Sequence, residues 1–455
     1  MARFDKYVHS PFFTVHRDTI LLFDVIKQAY PNPGEGALEA KKIYAKIYPN
    51  TPYNDNKVRT LRKYLLKLLL TFLAQIELEE DEWGLEWYQV RALFNRGLHK
   101  YFVKHIEEAE RHLKTYPYQN LDSLLHNFHL ESLKVGFKIS REGRFGVKKQ
   151  EKVMQSLDYF YFAAKFNFFN SLLSNQSVPG SNEQSHPMLR EITSYCEANL
   201  EQLPLIVQIY FHMTQLDFEL GDNVHYHKIK ILLPLSAKVL DKSDQINIYN
   251  KLLNYCNAQY QKGEISYLKE MFDFYREMLD KDLLFDEGII SSHYYKNITT
   301  LGLRLAEFEW TEDFIRNYKD QIDEEYRQGV YSYNMAHFFA YKKDYSESLK
   351  YLQQVDFIDP FYRISYNLLL LKIYYECKYV ESFLALCTSF KIFIRRKKEL
   401  TEAKRDAYLN FIKFSKALFN TKIKGKSNLA KVAREIEEAS SLIEKEWLLE
   451  KMEEF

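Results

Sequence analysis

YSYNMAHFFAYKKDYSESLKYLQQVDFIDPFYRISYNLLLLKIYYECKYVESFLALCTSFKIFIRR, spanning Tyr331 to Arg396, holds the clearest repeated unit in the chain. Tyr345-Ser346-Glu347-Ser348-Leu349 lies over Tyr379-Val380-Glu381-Ser382-Phe383 at an offset of 34 residues. The stretch reads as paired antiparallel helices that stack side by side. Ala336 and Ser348 are small enough to let two helix backbones approach, while Phe339 and Leu352 fill the space around them. Pro360 cannot donate a backbone bond and is expected to end the second helix of the unit. A looser copy lies upstream: Trp310 precedes Tyr345 by 35 residues, and Asp313-Phe314 stands where Ser348-Leu349 does.

This segment resembles a tetratricopeptide repeat, a helix–turn–helix unit of about 34 residues. The likeness is carried by Ala336, Phe339, Ser348, Leu352 and Pro360, and outside roughly 295–395 only the architecture is shared. Composition and repeat style are similar to helical repeat proteins of Bacteroidetes-type bacteria. The resemblance implies an all-α fold, an α-solenoid of antiparallel helical hairpins, in which the first helix of each pair lines a concave face that holds a peptide. At the 34-residue offset those positions are Tyr333, His337 and Tyr341 from one repeat, and Asn367, Leu371 and Tyr375 from the next. Some relatives grip a C-terminal carboxylate there with Lys, Asn and Arg. Tyr333 and His337 hold those positions here, so that clamp is expected to be absent and the groove more aromatic. The same side chains would serve equally to pack one repeat on another.

Composition agrees with helices. In 455 residues there are 14 Gly and 11 Pro, well below what turn-rich β architecture needs, against 35 Tyr and 33 Phe. A net charge of +1 excludes a strong overall pull toward nucleic acid or an acidic membrane. Cys196, Cys256, Cys377 and Cys387 are far apart or at non-chelating spacing, and read as small apolar groups in a reducing compartment. The opening MARFDKYVHSPFF has no signal-peptide pattern, and no apolar run approaches the roughly 20 residues that span a bilayer. A cytoplasmic location without a membrane span is expected.

Residues 1–80 read as a small helical domain. A helix over His16–Ala29 is followed by one over Ala37–Ile47 and by a long helix capped by Asn54 or Asp55. Along it Val58, Leu61, Leu65, Leu68 and Phe72 form one stripe, and Leu66, Leu69, Leu70 and Leu73 make most of the circumference apolar, so burial is expected. Its basic residues Arg59, Arg62 and Lys63, with Lys57, resemble the last helix of a helix-turn-helix or winged-helix unit, which implies DNA contact. Residues 81–420 read as the repeat array, with a hinge near 174–187, and 427–455 as one long capping helix on Leu429, Val432, Ile436, Ala439 and Ile443. Two heptads there also permit a weaker coiled-coil dimer.

Within the array, GFKISREGRFGVKK (Gly136–Lys149) reads as a flexible basic loop, with Arg141, Arg144, Lys148 and Lys149 able to meet an anion. It lacks the order of a nucleotide-binding loop. His105, Glu108 and His112 share a helix face, but two turns separate the imidazoles by about 10 Å, too far for one ion. His126 and His129 lack a clear third ligand beyond Glu131, so no metal and no cofactor are expected. With no catalytic motif found, the expectation is a non-enzymatic scaffold or adaptor with a protein or peptide partner. The alternative is a regulator whose N-terminal domain or basic loop contacts nucleic acid while the solenoid senses a ligand.

Overall fold

A computed structural model of the chain describes residues 1–14, 16–30, 38–142, 147–175, 188–218, 223–355, 360–424, 429–439 and 441–454. The chain divides into two compact units, Met1–Asp241 and Lys242–Phe455. Both are all-α and built from antiparallel helix pairs, and no described helix is long and apolar enough to cross a membrane.

The first unit comprises α1 (Ala2–Val8), α2 (Arg17–Ala29), α3 (Ala40–Ile47), α4 (Asp55–Glu80), α5 (Glu82–Asn95), α6 (His99–Thr115), α7 (Leu121–Glu142), α8 (Val147–Asn175), α9 (Leu189–Asn199), α10 (Leu205–Gln215) and α11 (Val224–Val239). Asn54 caps α4, its side chain accepting from the Lys57 amide at 3.1 Å. α1, α2 and α3 pack on one side of α4, where Phe4, Tyr7, Phe23, Leu22 and Ile43 meet Leu61, Leu65, Leu68 and Phe72. The opposite side is open: Leu66, Leu70 and Leu73, expected inside, are 55%, 58% and 47% exposed. The basic stretch Gly136–Lys149 also differs from expectation, because α7 runs through Glu142 and α8 begins at Val147. Only 143–146, outside the described residues, is left between them, as is most of the expected hinge, 176–187.

The second unit comprises α12 (Lys242–Gln261), α13 (Tyr267–Asp280), a two-strand hairpin of β1 (Phe285–Asp286) and β2 (Ile289–Ile290), α14 (Ser292–Arg304), α15 (Phe308–Asn317), α16 (Arg327–Tyr341), α17 (Tyr345–Leu352), α18 (Pro360–Glu376), α19 (Val380–Arg396), α20 (Glu402–Lys424), α21 (Leu429–Glu438) and α22 (Lys445–Met452). α14, α16 and α18, each the first helix of a pair, stand side by side. Pro360 opens α18 instead of ending α17. Its missing N–H costs nothing in a first turn, where that donor has no helical partner. The expected capping helix is two helices, α21 and α22. The break lets Ile436 and Leu448, both fully buried, enter one core with Phe383, Phe390, Phe411 and Phe419.

One backbone device repeats at the turns. Each of α12, α14, α16 and α18 is followed, two residues past its end, by a residue with positive φ: Gly263 (101°), Ala306 (58°), Lys343 (62°) and Lys378 (57°). At each turn the next amide reaches back five residues: Glu264 to Gln259 O, Glu307 to Gly302 O, Asp344 to Phe339 O, and Tyr379 to Tyr374 O, at 2.9–3.2 Å. This is the Schellman closure, which satisfies orphan carbonyls at a helix end. Close approach is also enforced at Gly302, where a Cβ would collide with Thr311 Oγ1 on α15. Lys343 and Lys378 are 35 residues apart, so the 34-residue match of YSESL on YVESF is one residue out of step with the structural repeat.

Three of these turns carry a left-handed residue that has a Cβ, at a cost of order 1 kcal/mol. Ala306→Gly and Lys378→Gly are therefore each expected to stabilise the protein by about 0.5–1 kcal/mol, less the added freedom of the unfolded chain. Urea denaturation measures this, and a loss of stability in both variants would contradict it.

Candidate functional site

Counted from the left-handed turn residue, the helix positions 10, 6 and 2 residues earlier form a ladder: Leu253, Asn257, Gln261 on α12; Lys296, Thr300, Arg304 on α14; Tyr333, His337, Tyr341 on α16; Leu368, Lys372, Glu376 on α18. All twelve line one cavity of about 1000 Å³ in the second unit. The spacing explains it. Steps of four residues keep side chains on nearly one helix face, and the shared turn sets the same rotation for each helix.

The far wall comes from the stretch between α21 and α22 and from α22 itself, through Glu444, Glu446, Trp447, Glu450 and Lys451. Glu444 has left-handed backbone, φ 52°, and its carboxylate reaches Lys372 Nζ at 2.6 Å. Burial pushes the Glu444 carboxyl up, but Lys372, then Arg304, outweigh it and hold it below the usual range. Beside it His337 Nδ1 is buried with no hydrogen-bond partner. Burial, reinforced by Lys372, pushes the imidazole down to about 3, so it is neutral at pH 7. Arg304 donates to Tyr260 Oη at 3.1 Å, and that hydroxyl donates to Glu446 at 3.0 Å. Lys296 Nζ lies 3.2 Å from Ser365 Oγ. The ladder wall thus gathers Lys296, Arg304 and Lys372 with neutral amides and one carboxylate, Glu376, while the facing wall carries Glu444, Glu446 and Glu450 beside Lys451, with Glu444 already seated on Lys372.

Tyr333, His337 and Tyr341 lie on this cavity. Asn367, Leu371 and Tyr375 do not line it. Asn367 bonds back to Arg363 O at 2.8 Å, while Leu371 and Tyr375 are fully buried in the core, Tyr375 against Phe383 and Trp447. Their places on the ladder are taken by Leu368, Lys372 and Glu376, one residue further along. That residue is the step by which the sequence match slips.

In the first unit Arg59 pairs with Asp55 at 2.6 Å, Arg62 donates to Leu38 O at 3.3 Å, and Lys63 is exposed. Arg141 lies over the Phe137 ring at 5.8 Å. Arg144 and the side chains of Lys148 and Lys149 lie outside the described residues. His105 pairs with Glu108 at 3.2 Å, while His112 turns to Glu86 at 3.5 Å, a carboxylate it shares with His126 at 3.1 Å. Glu131 is taken by Lys152 at 2.7 Å and Lys134 at 3.1 Å. Among the described residues the one trio whose ligand atoms all lie within 4.8 Å of one another is Asp5, His9 and Asp24, and Lys27 Nζ occupies Asp5 at 2.8 Å.

Fold and ladder together define an all-α, helical-repeat-like protein with paired, stacked helices. Comparison with known proteins found no matching family model, no matching curated protein and no matching solved structure.

Proposed function

We propose that the chain is a non-enzymatic interaction protein, tetratricopeptide-like in kind, whose second unit binds an extended acidic segment of a partner protein. The observation that supports this reading is Glu444. A non-helical stretch of the chain already delivers a carboxylate onto Lys372, beside Arg304 and His337. A partner segment would use the same chemistry. Lys296 and Arg304 would meet its carboxylates, and Asn254, Asn257 and Asn297 carry amides able to bond a peptide backbone in both directions. Three helices at about 9 Å spacing span about 18 Å, the length of five or six extended residues.

The test is selection from a random peptide display library on the full chain. Enrichment of Asp- and Glu-bearing peptides is expected. Lys296→Ala with Arg304→Ala should weaken the selected peptides roughly tenfold or more, since a hydrogen bond to a charged group contributes about 1.5–3 kcal/mol. Enrichment of neutral or basic peptides, or binding indifferent to both substitutions, would overturn the reading.

A further inference from the structure

The open side of α4 carries a pattern that the cavity does not use. Leu66, Leu70 and Leu73 stand exposed at i, i+4 and i+7. On the same face Arg59, Arg62 and Lys63 precede them, and Glu77 and Glu80 follow. At about 100° per residue all eight side chains fall within about 60° of one line along the helix. The stripe is therefore basic in its first third, apolar in the middle and acidic in its last third.

This order opposes the helix dipole, which favours acidic groups near the N-terminus and basic groups near the C-terminus. Within the unit little compensates it. Arg59 has only its own-helix partner Asp55, Arg62 donates to one carbonyl, and Lys63, Glu77 and Glu80 have no ion-pair partner among the described residues. Three leucines in a row on a charged helix face also leave apolar surface in water that a partner would cover.

We propose that this face is the interface of a two-fold homodimer in which α4 packs antiparallel on α4 of a second copy. Laid antiparallel, Leu66 meets Leu73 of the second copy and Leu70 sits at the two-fold axis. Arg62 then faces Glu77, and Arg59 faces Glu80. The stripe is its own complement, which is what a closed, isologous interface requires. A parallel pairing would set Arg59 and Arg62 against themselves, and Glu77 and Glu80 likewise. Nucleic acid would be repelled by the acidic third and would leave the leucines uncovered, and an anionic membrane would be repelled by the same acidic third. The same geometry gives Arg59 and Arg62 an occupant other than DNA.

Sedimentation equilibrium on the full chain tests this, with circular dichroism as the control for folding. The wild type is expected to be a dimer that weakens as salt rises. Arg59→Glu with Arg62→Glu should weaken association roughly tenfold or more, because like charges then face across the axis. Glu77→Arg with Glu80→Arg should do the same. Each half-reversed chain alone should associate more weakly than wild type, but a mixture of the two should give a heterodimer, since each reversed charge again meets its opposite. Reversing all four positions in one chain should restore the homodimer. A wild type that stays monomeric at every concentration would overturn the proposal. So would a dimer indifferent to both reversals and to Leu70→Glu, or half-reversed chains that do not pair when mixed.

Discussion

Lys451→Met is expected to cost about 3 kcal/mol and to unseat α22, because it removes a buried ammonium and strands the partly buried Glu376 carboxylate. Lys451 Nζ lies 2.7 Å from Glu376 on α18, 2.8 Å from Glu454 and 3.0 Å from Glu450. Its side chain is 7% exposed and that of Glu376 16%. Burial alone would favour the neutral amine, but the bonds from Glu376, Glu454 and Glu450 outweigh it and raise the lysine above its ordinary value. A raised lysine contributes stability at every pH below its unfolded value and loses it only as pH climbs through the folded value. The effect is thus fully present at pH 7. Without Lys451, Glu376 keeps only Lys422, at 3.9 Å. Glu376→Gln added to Lys451→Met should recover most of the loss, since removing both charges of a buried pair is close to neutral. Urea denaturation of the second unit measures both variants, and an equal loss in single and double variants would refute the account. Unseating α22 should also free Lys372 from Glu444, so acidic peptides should bind Lys451→Met more tightly than wild type.

The helical architecture was legible because scarcity of Gly and Pro and the spacing of apolar residues act locally. The register of the repeat was not. Its punctuation sits on Ala306, Lys343 and Lys378, which adopt left-handed backbone without being glycine, so the usual turn signal is missing. The strongest sequence match, YSESL on YVESF, is one residue off that punctuation, and a 34-residue offset therefore lands on Asn367, Leu371 and Tyr375, off the cavity, while Tyr333, His337 and Tyr341 lie on it. Anchoring on the residues before Asp344 and Tyr379, the N-cap positions of α17 and α19, would have found Lys372. Glu444 could not be found this way. It meets Lys372 across 72 residues of chain, through a break in what reads as one continuous amphipathic helix. Leu66, Leu70 and Leu73 show a second limit. A helix apolar on every side has the same sequence whether its outer face is covered by its own chain or by another.

Lowering the pH from 7 to 5 is expected to destabilise the first unit by about 4 kcal/mol and the second by about 2 kcal/mol. The first unit buries His126 and His212, 2% and 4% exposed. Burial pushes both down to about 4, aided at His126 by His129 and His112 and at His212 by His225 and Lys228. His212 and His225 face each other Nδ1 to Nδ1 at 2.7 Å, so one nitrogen must stay unprotonated for the bond to exist. In the second unit His337 alone plays this part, at about 3. The sign follows from proton counting. Below about 6.5 the unfolded chain protonates these imidazoles while the folded chain does not, so the unfolded state gains protons and stability falls. At pH 5 each histidine contributes about 2 kcal/mol of loss, and the decline continues until pH reaches the folded values. Three groups act the other way. The backbone bond to Asp5, with Asp24, raises His9, and burial raises the Glu86 and Asp158 carboxyls, so all three take up protons earlier in the folded state. His9 is 43% exposed, which leaves its share small. Urea denaturation at pH 7, 6 and 5 gives the slopes. His126→Gln with His212→Gln should flatten the slope of the first unit while leaving that of the second. Stability unchanged between pH 7 and 5, or a slope untouched by the double substitution, would mean that these histidines already meet water in the folded state.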